Sequence, residues 1–276
     1  MADDDLRDGA AQERYSGGYG RLIMQGLSKR TVAREGAFFL PHLRPGMRVL
    51  DCGCGPGAMT VELAAVIAPG EAVGVDIHAA QFDVGRTLAS ERGMTNVRFE
   101  QGTIYQLPFA DESFDAVFVH AVLYHLRDPL AALRQVWRVL RPGGVAGIRD
   151  CDSAGDLYAP ADPTIDRAWA LLDRLMRYNG GNPAFGRTQK AALRQAGFGR
   201  VIASASYDCY EAPATQRTWG AFWADLLERE HANLILEHDW ATGADLAAMA
   251  RALRAWDTHP DAFFARARCE AVGWKE

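Results

Sequence analysis

The chain has no basic cluster with which to grip a polyanion. Its 30 basic residues are outnumbered by 35 acidic ones, for a net charge of -5. That balance argues against a nucleic-acid partner, which needs a concentrated positive face. No apolar run approaches the ~18 residues that a membrane span requires. The opening Met1-Ala2-Asp3-Asp4-Asp5 is acidic where a secretory leader carries basic residues. A cytoplasmic location, without nucleic acid or membrane as partner, is the expectation. Cysteine is scarce and scattered: Cys52, Cys54, Cys151, Cys209 and Cys269 form an odd set. The Cys52-Gly53-Cys54 spacing is not that of a zinc site, and no His/Cys pair accompanies it. No metal is expected, and the thiols read as small buried groups in a reducing compartment. Internal repeats and low-complexity segments are absent as well.

What is present is a packed globular composition, 49% hydrophobic and 24% charged, in 276 residues. That length suits one α/β domain with additions. The chain is organised around Val49-Leu50-Asp51-Cys52-Gly53-Cys54-Gly55-Pro56-Gly57. Arg48 to Asp51 reads as a short buried strand, the glycines as a tight turn, and Ala58 to Ile67 as the following helix. Without side chains the turn lets backbone donors and the helix N-terminus approach a ligand in the crevice above the strand. Gly53, Gly55 and Ala58 also satisfy the dinucleotide pattern G-x-G-x-x-G/A, so the glycines alone do not choose a cofactor. Two local features weigh against a dinucleotide. Asp51 places a carboxylate where a pyrophosphate would be repelled and a cationic methionine moiety welcomed. Pro56 stiffens the turn between the second and third glycines. S-adenosylmethionine is therefore the favoured ligand, against a glycine-rich turn with no ligand at all.

Taken in order, residues 1 to about 14 are polar. Tyr15-Ser16-Gly17-Gly18-Tyr19-Gly20 reads either as a packing arm or as a lid whose tyrosines exclude water. In the helical stretch that follows, Arg30 reads as a surface charge or as a partner for a carboxylate. Strands are expected at 72–76, 97–100, 114–119 and 145–150, with helices at 79–92 and 130–140 between them. This alternation means a parallel sheet with helices on both faces. The Phe114 to Val119 run is nearly all apolar, as a strand covered on both faces should be. Asp76 ends the second strand, 23 positions beyond Gly53, where a carboxylate meets ribose hydroxyls. Beyond the fifth strand the rhythm breaks. Asp162-Pro163 starts a helix that closes at Asn179-Gly180-Gly181, a second helix spans 188–196, and 201–210 is again a strand. Helices at 215–237 and 244–257 precede a last strand at 262–274. The division expected is an arm and lid at 1–44 and a main domain at 45–276. That domain carries helical insertions at about 155–196 and 213–258, capping the carboxyl edge of the sheet.

These segments together resemble the class I S-adenosylmethionine-dependent methyltransferases. They look closest to the small-molecule branch with the ubiquinone/menaquinone C-methyltransferases. The resemblance rests on 49–57, Val75-Asp76, Leu107-Pro108-Phe109, Phe114-Asp115-Ala116-Val117 and Arg138-Val139-Leu140-Arg141-Pro142-Gly143-Gly144. It implies a Rossmann-like, doubly wound, mostly parallel seven-stranded sheet with a helical lid and cap, methyl transfer to a small organic acceptor, and S-adenosylhomocysteine as product. By the resemblance, Gly53, Gly55 and Gly57 meet the methionine end with Asp51, Asp76 the ribose, Ile77 an adenine face, and Gly102, Thr103 and Ile104 the adenine edge. His120 lies under the methionine moiety. The lid reading of the arm adds Tyr15 and Tyr19 as cofactor contacts, and the carboxylate-partner reading of Arg30 adds that residue. Members usually carry aspartate where this chain has Thr103, a hydroxyl that accepts only weakly from an adenine amino group.

A base is needed only if the acceptor's proton must leave early. Candidates are His120, His125 and Tyr19, His125 having an ordinary helical role as its rival. Tyr124, Arg149, Asp150, Tyr178 and Asn179 are candidate acceptor contacts, with an internal ion pair the alternative for Arg149-Asp150 and a turn for Asn179. The tryptophans at helical spacing (Trp169, Trp219, Trp223, Trp256) read as core. Two rival functions remain: an NAD(P)-dependent oxidoreductase using the same turn, and a catalytically silent cofactor-binding regulator. Monomer and homodimer are both compatible with the sequence.

Overall fold

The computed structural model describes Ser16, residues 21–210 and residues 213–276. Its centre is a sheet of eight strands: β1 (Val49–Cys52), β2 (Ala72–Asp76), β3 (Val97–Gln101), β4 (Phe114–His120), β5 (Leu140–Cys151), β6 (Leu157–Ala159), β7 (Arg200–Tyr210) and β8 (Phe263–Trp274). The order is β3-β2-β1-β4-β5-β8, with β7 on the far side of β8. The first five strands run parallel, and β8 is antiparallel to β5, β6 and β7. Chain order reverses between β1 and β4, which opens a crevice at their carboxyl ends.

The expected seven strands are thus eight, for a local reason. β5 covers β8 as far as Cys151↔Arg268, the chain detours, and β6 resumes along the same side of β8 at Leu157↔Ala265. Three residues between turns give too short a period to be read in advance. The fifth strand also starts earlier than expected, because Leu140 already pairs Phe114 before a register shift.

Side-chain alternation sorts the parallel strands onto two cores. Leu50, Val117 and Ile148 pack on one face with Leu133 and Val136 of helix Pro129–Val139. Val49, Phe118 and Val145 pack on the other with Leu63 of helix Ala58–Val66 and with Phe39. A third core gathers the helices expected as a cap, Pro163–Tyr178, Pro213–Asp225, Ala232–Glu237 and Gly243–Trp256, around Phe264. Trp256 is buried in it, and Trp169, Trp219 and Trp223 pack against it. Asp162 caps the first of these helices by accepting from the Thr164 amide at 2.6 Å, with Pro163 at the first helical position. The helix expected over 215–237 is interrupted by a π-helical turn, Leu226–Glu230, that keeps Leu226 and Leu227 buried. Among the described residues no helix is long and apolar enough to cross a membrane, and no group of three or more His, Cys, Asp or Glu is placed to hold a metal.

Candidate active site

The crevice begins at the glycine corner. Gly53, Gly55 and Gly57 have φ of +70°, +52° and +80°, a region that L side chains avoid. The corner is fixed from below by amides of Gly53 and Cys54 donating to the Val75 carbonyl at 2.8 and 3.1 Å. Space is as demanding as conformation: a β-carbon on Gly53 would lie 2.4 Å from Val122, and one on Gly57 2.3 Å from the Phe99 ring. Gly57→Ala is therefore expected to lower the unfolding midpoint and to abolish cofactor binding, checked by thermal unfolding and calorimetry on the same preparation. A variant with wild-type values in both would mean the corner is not constrained as described.

Asp76 stands at the end of β2, beside the corner. Its Oδ2 accepts the Gly55 amide at 2.9 Å and its Oδ1 the His78 amide at 3.0 Å, leaving each oxygen a lone pair for a hydroxyl. Ile77 follows with 43% of its surface exposed, an apolar side chain on the cleft wall. Opposite stand Gly102, Thr103 and Ile104. The Gly102 amide donates to the Asp76 carbonyl at 3.0 Å, and the Thr103 hydroxyl accepts from the Tyr105 amide at 3.3 Å. A glycine cradle, a carboxylate with spare lone pairs and an exposed aliphatic face together fit an adenosyl ligand with a methionine tail.

Leu27, Arg30, His120, Val122, His125 and Leu126 line the same cleft. His120 ends β4 and stacks flat against Phe118, ring centroids 6.1 Å apart. Its Nδ1 faces Arg30 Nη1 at 3.5 Å, and its Nε2 faces Arg149 Nη1 at 3.2 Å and Glu35 Oε2 at 3.4 Å. Burial and the neighbouring Arg30 and Arg268 charges, opposed by Glu35, push His120 down to about 3. Burial, with Arg266 and Arg30, pushes His125 down to about 3 too, and its ring lies 3.9 Å from that of Tyr124.

Several candidates stand elsewhere than expected. Arg149, 2% exposed, does not line the cleft but centres an ion cluster beneath it. It pairs with Glu35, donates to Asp208 Oδ1 at 2.8 Å and approaches Glu270 at 3.3 Å, while Arg268 donates to Asp208 Oδ2 at 2.6 Å. Asp150 is wholly buried, facing the backbone of Val122, Leu123 and Tyr124, and burial pushes it up to about 8. It supports the turn after β4 from below. Tyr124 packs in the core. Tyr178, 48% exposed, meets His238 at 2.9 Å on the cap surface. Asn179 donates to Ser16 Oγ at 2.9 Å, and His231 Nε2 lies 3.0 Å from the Ser16 carbonyl, so Asn179 is engaged by Ser16. Tyr15 and Tyr19 lie outside the described residues.

Asp51 also departs from expectation. It is 1% exposed, lies behind the corner, and accepts from Thr60 Oγ1 at 2.6 Å. Burial pushes it up to about 7, against the Thr60 hydrogen bond and with the nearby Asp76 charge. A folded pKa above the unfolded one means that the native state binds the extra proton, so this contribution to stability is present below about pH 4 and lost as pH rises to about 7. Asp51→Asn should flatten the fall in urea stability between about pH 4 and pH 7; an unchanged slope would mean that Asp51 ionises freely.

Sequence reasoning missed Glu35, whose partners His120 and Arg149 are far along the chain. It also missed the cleft residues Leu27, Met59, Gln81 and Val122. Only the helical pattern around Leu27 hinted at any of them.

The family profile described as a methyltransferase domain matches residues 43–184. An uncharacterized methyltransferase of Schizosaccharomyces pombe is 31% identical over 256 residues, 88% of each chain. A ubiquinone/menaquinone biosynthesis C-methyltransferase of Shewanella oneidensis is 41% identical over 103 residues, 37% of this chain and 41% of that one. Among solved structures, the YcgJ protein of Bacillus subtilis superposes with a TM-score of 0.58 at 22% identity, covering 88% of this chain and 99% of that one.

Proposed function

This chain belongs to the S-adenosylmethionine-dependent methyltransferases, and from that premise we propose that it methylates a small organic acceptor, a natural-product or quinone-like ring, by in-line displacement. The cofactor supplies a methyl group already activated on a sulfonium, so the protein's task is to align the acceptor and exclude water. The glycine corner and Arg30 hold the methionine end, Asp76 the ribose, Ile77 an adenine face, and 102–104 the adenine edge. His120 lies under the methionine moiety. The Thr103 hydroxyl is engaged by its own turn, so recognition of the adenine amino group falls to the backbone.

The observation that carries the acceptor class is the lining beside His120. Leu27, Val122 and Leu126 make it apolar, with Arg30 and the two histidines as its polar groups. We take the helical insertions at about 155–196 and 213–258 as a cover over the carboxyl edge of a main domain of 45–276. An apolar recess with a few polar groups suits a small ring better than a polymer. Incubation with S-adenosylmethionine and a panel of phenols, quinols and heteroaromatic acids should yield a product heavier by one methylene unit by mass spectrometry. Full cofactor affinity with no transfer to any acceptor would favour a silent regulator instead. We place the enzyme in the cytoplasm as a monomer or homodimer, which sedimentation distinguishes.

A further inference from the structure

The two nitrogens of His120 face different worlds. Nε2 points to Glu35 and Arg149, while Nδ1 points to Arg30 at 3.5 Å on the cleft side. Guanidinium donors stand at both nitrogens, Arg30 at Nδ1 and Arg149 at 3.2 Å from Nε2, but among the described residues the carboxylate acceptor Glu35 Oε2 lies at Nε2, 3.4 Å away, so Nδ1 is the nitrogen that turns its lone pair to Arg30. The proton of the neutral ring then sits on Nε2, where the Glu35 carboxylate is available to accept it. Arg149 pairs with that same carboxylate and holds it in place. Among the described residues Arg30 takes part in no ion pair, although it lies on the cleft wall.

We propose that Arg30 is a removable block on a base: it holds His120 Nδ1 until a carboxylate draws the guanidinium away, and the freed Nδ1 then takes the acceptor's proton. The proposal rests on the reading above, in which that carboxylate belongs to the methionine end of the cofactor. The acceptor's proton passes to Nδ1, and the pair left behind on the acceptor atom forms the bond to the methyl carbon. The carbon–sulfur pair stays on sulfur, and the proton leaves His120 to solvent afterwards. Glu35 and Arg149 are positioning residues, fixing the tautomer and the ring.

The charges around the imidazole set the direction of the effect. Arg30 follows helix Arg21–Ser28, Glu35 ends the short helix Val32–Glu35, Arg149 comes from β5, and Arg268 and Asp208 lie behind on β8 and β7. Arg30 and Arg268 disfavour protonation and Glu35 favours it. Neutralising Arg30 therefore makes His120 more basic at the moment its lone pair becomes free. The base is armed by the occupant that makes transfer possible.

The test is an NMR pH titration of His120, assigned by loss of its signal in His120→Gln. S-adenosylhomocysteine should raise the midpoint, by about tenfold in proton affinity or more. 5′-Methylthioadenosine, which lacks the carboxylate, should leave it in place. Arg30→Met should raise the midpoint by itself and show no further response to S-adenosylhomocysteine, whereas Arg30→Lys should restore the response. A midpoint indifferent to Arg30→Met, or moved equally by both nucleosides, overturns the proposal. Calorimetry on the same samples separates its failure from that of the cofactor reading. Binding without a shift sinks the block alone, and absent binding sinks both.

Discussion

Replacing Asp76 by alanine is expected to weaken S-adenosylhomocysteine binding by about 1–3 kcal/mol, roughly five- to 150-fold, the scale of hydrogen bonds to a charged group. The carboxylate has two duties, one seen in the structure and one proposed. It anchors the corner by accepting the Gly55 and His78 amides at 2.9 and 3.0 Å. In the proposed complex its remaining lone pairs accept the ribose hydroxyls. Alanine removes both functions, so part of the loss is a less ordered corner. Asp76→Asn separates them, because its one carbonyl oxygen still accepts an amide while the charge is gone; its affinity should fall between the other two. The site is partly exposed, so folding stability should change little. Calorimetry at fixed pH decides, and wild-type affinity in the alanine variant would end the ribose assignment.

Arg149→Met is expected to cost about 3–5 kcal/mol of stability, because removing one partner strands the others. Glu35, Asp208 and Glu270 converge on one guanidinium that is 2% exposed. For a chain of this size the loss corresponds to a fall in Tm on the order of 10 °C. The pH dependence identifies the cause. Despite burial, hydrogen bonding and opposite charge hold Glu35 down at about 2, and Arg268 with Arg149 hold Asp208 below the ordinary carboxylate range. Depressed folded values mean that this stability is present above about pH 4.5 and lost as pH falls toward 2. The gap between wild type and Arg149→Met should therefore narrow below pH 4.5 in denaturant titrations. A loss under 1 kcal/mol at pH 7 would show that the cluster contributes little. Arg30→Met, at the cleft wall, serves as the near-neutral comparison.

What could be read from the chain follows from how local each signal is. The corner at Gly53 to Gly57 was legible because strand, turn and helix adjoin, and a positive φ leaves glycine as its mark. Asp76 was legible because one crossover fixes its distance from the corner. The cap helices showed in their apolar period and in Asp162-Pro163. Arg149-Asp150 misled, since a polar pair at a strand end looks the same whether it faces a crevice or a buried cluster. Glu35 was silent because its partner Arg149 lies 114 residues away. Asn179 looked like a turn residue, and only the fold brings Ser16 within 2.9 Å of it. β6 was hidden by its length, three residues that pair only because β8 already stands beside them.

The most direct measurement is a crystal structure with S-adenosylhomocysteine bound. The ribose hydroxyls should rest on the Asp76 carboxylate, the adenine against Ile77, and the amino-acid carboxylate on Arg30, with the sulfur facing His120. Density for the nucleoside anywhere else, or a glycine corner left vacant at saturating ligand, would contradict the account.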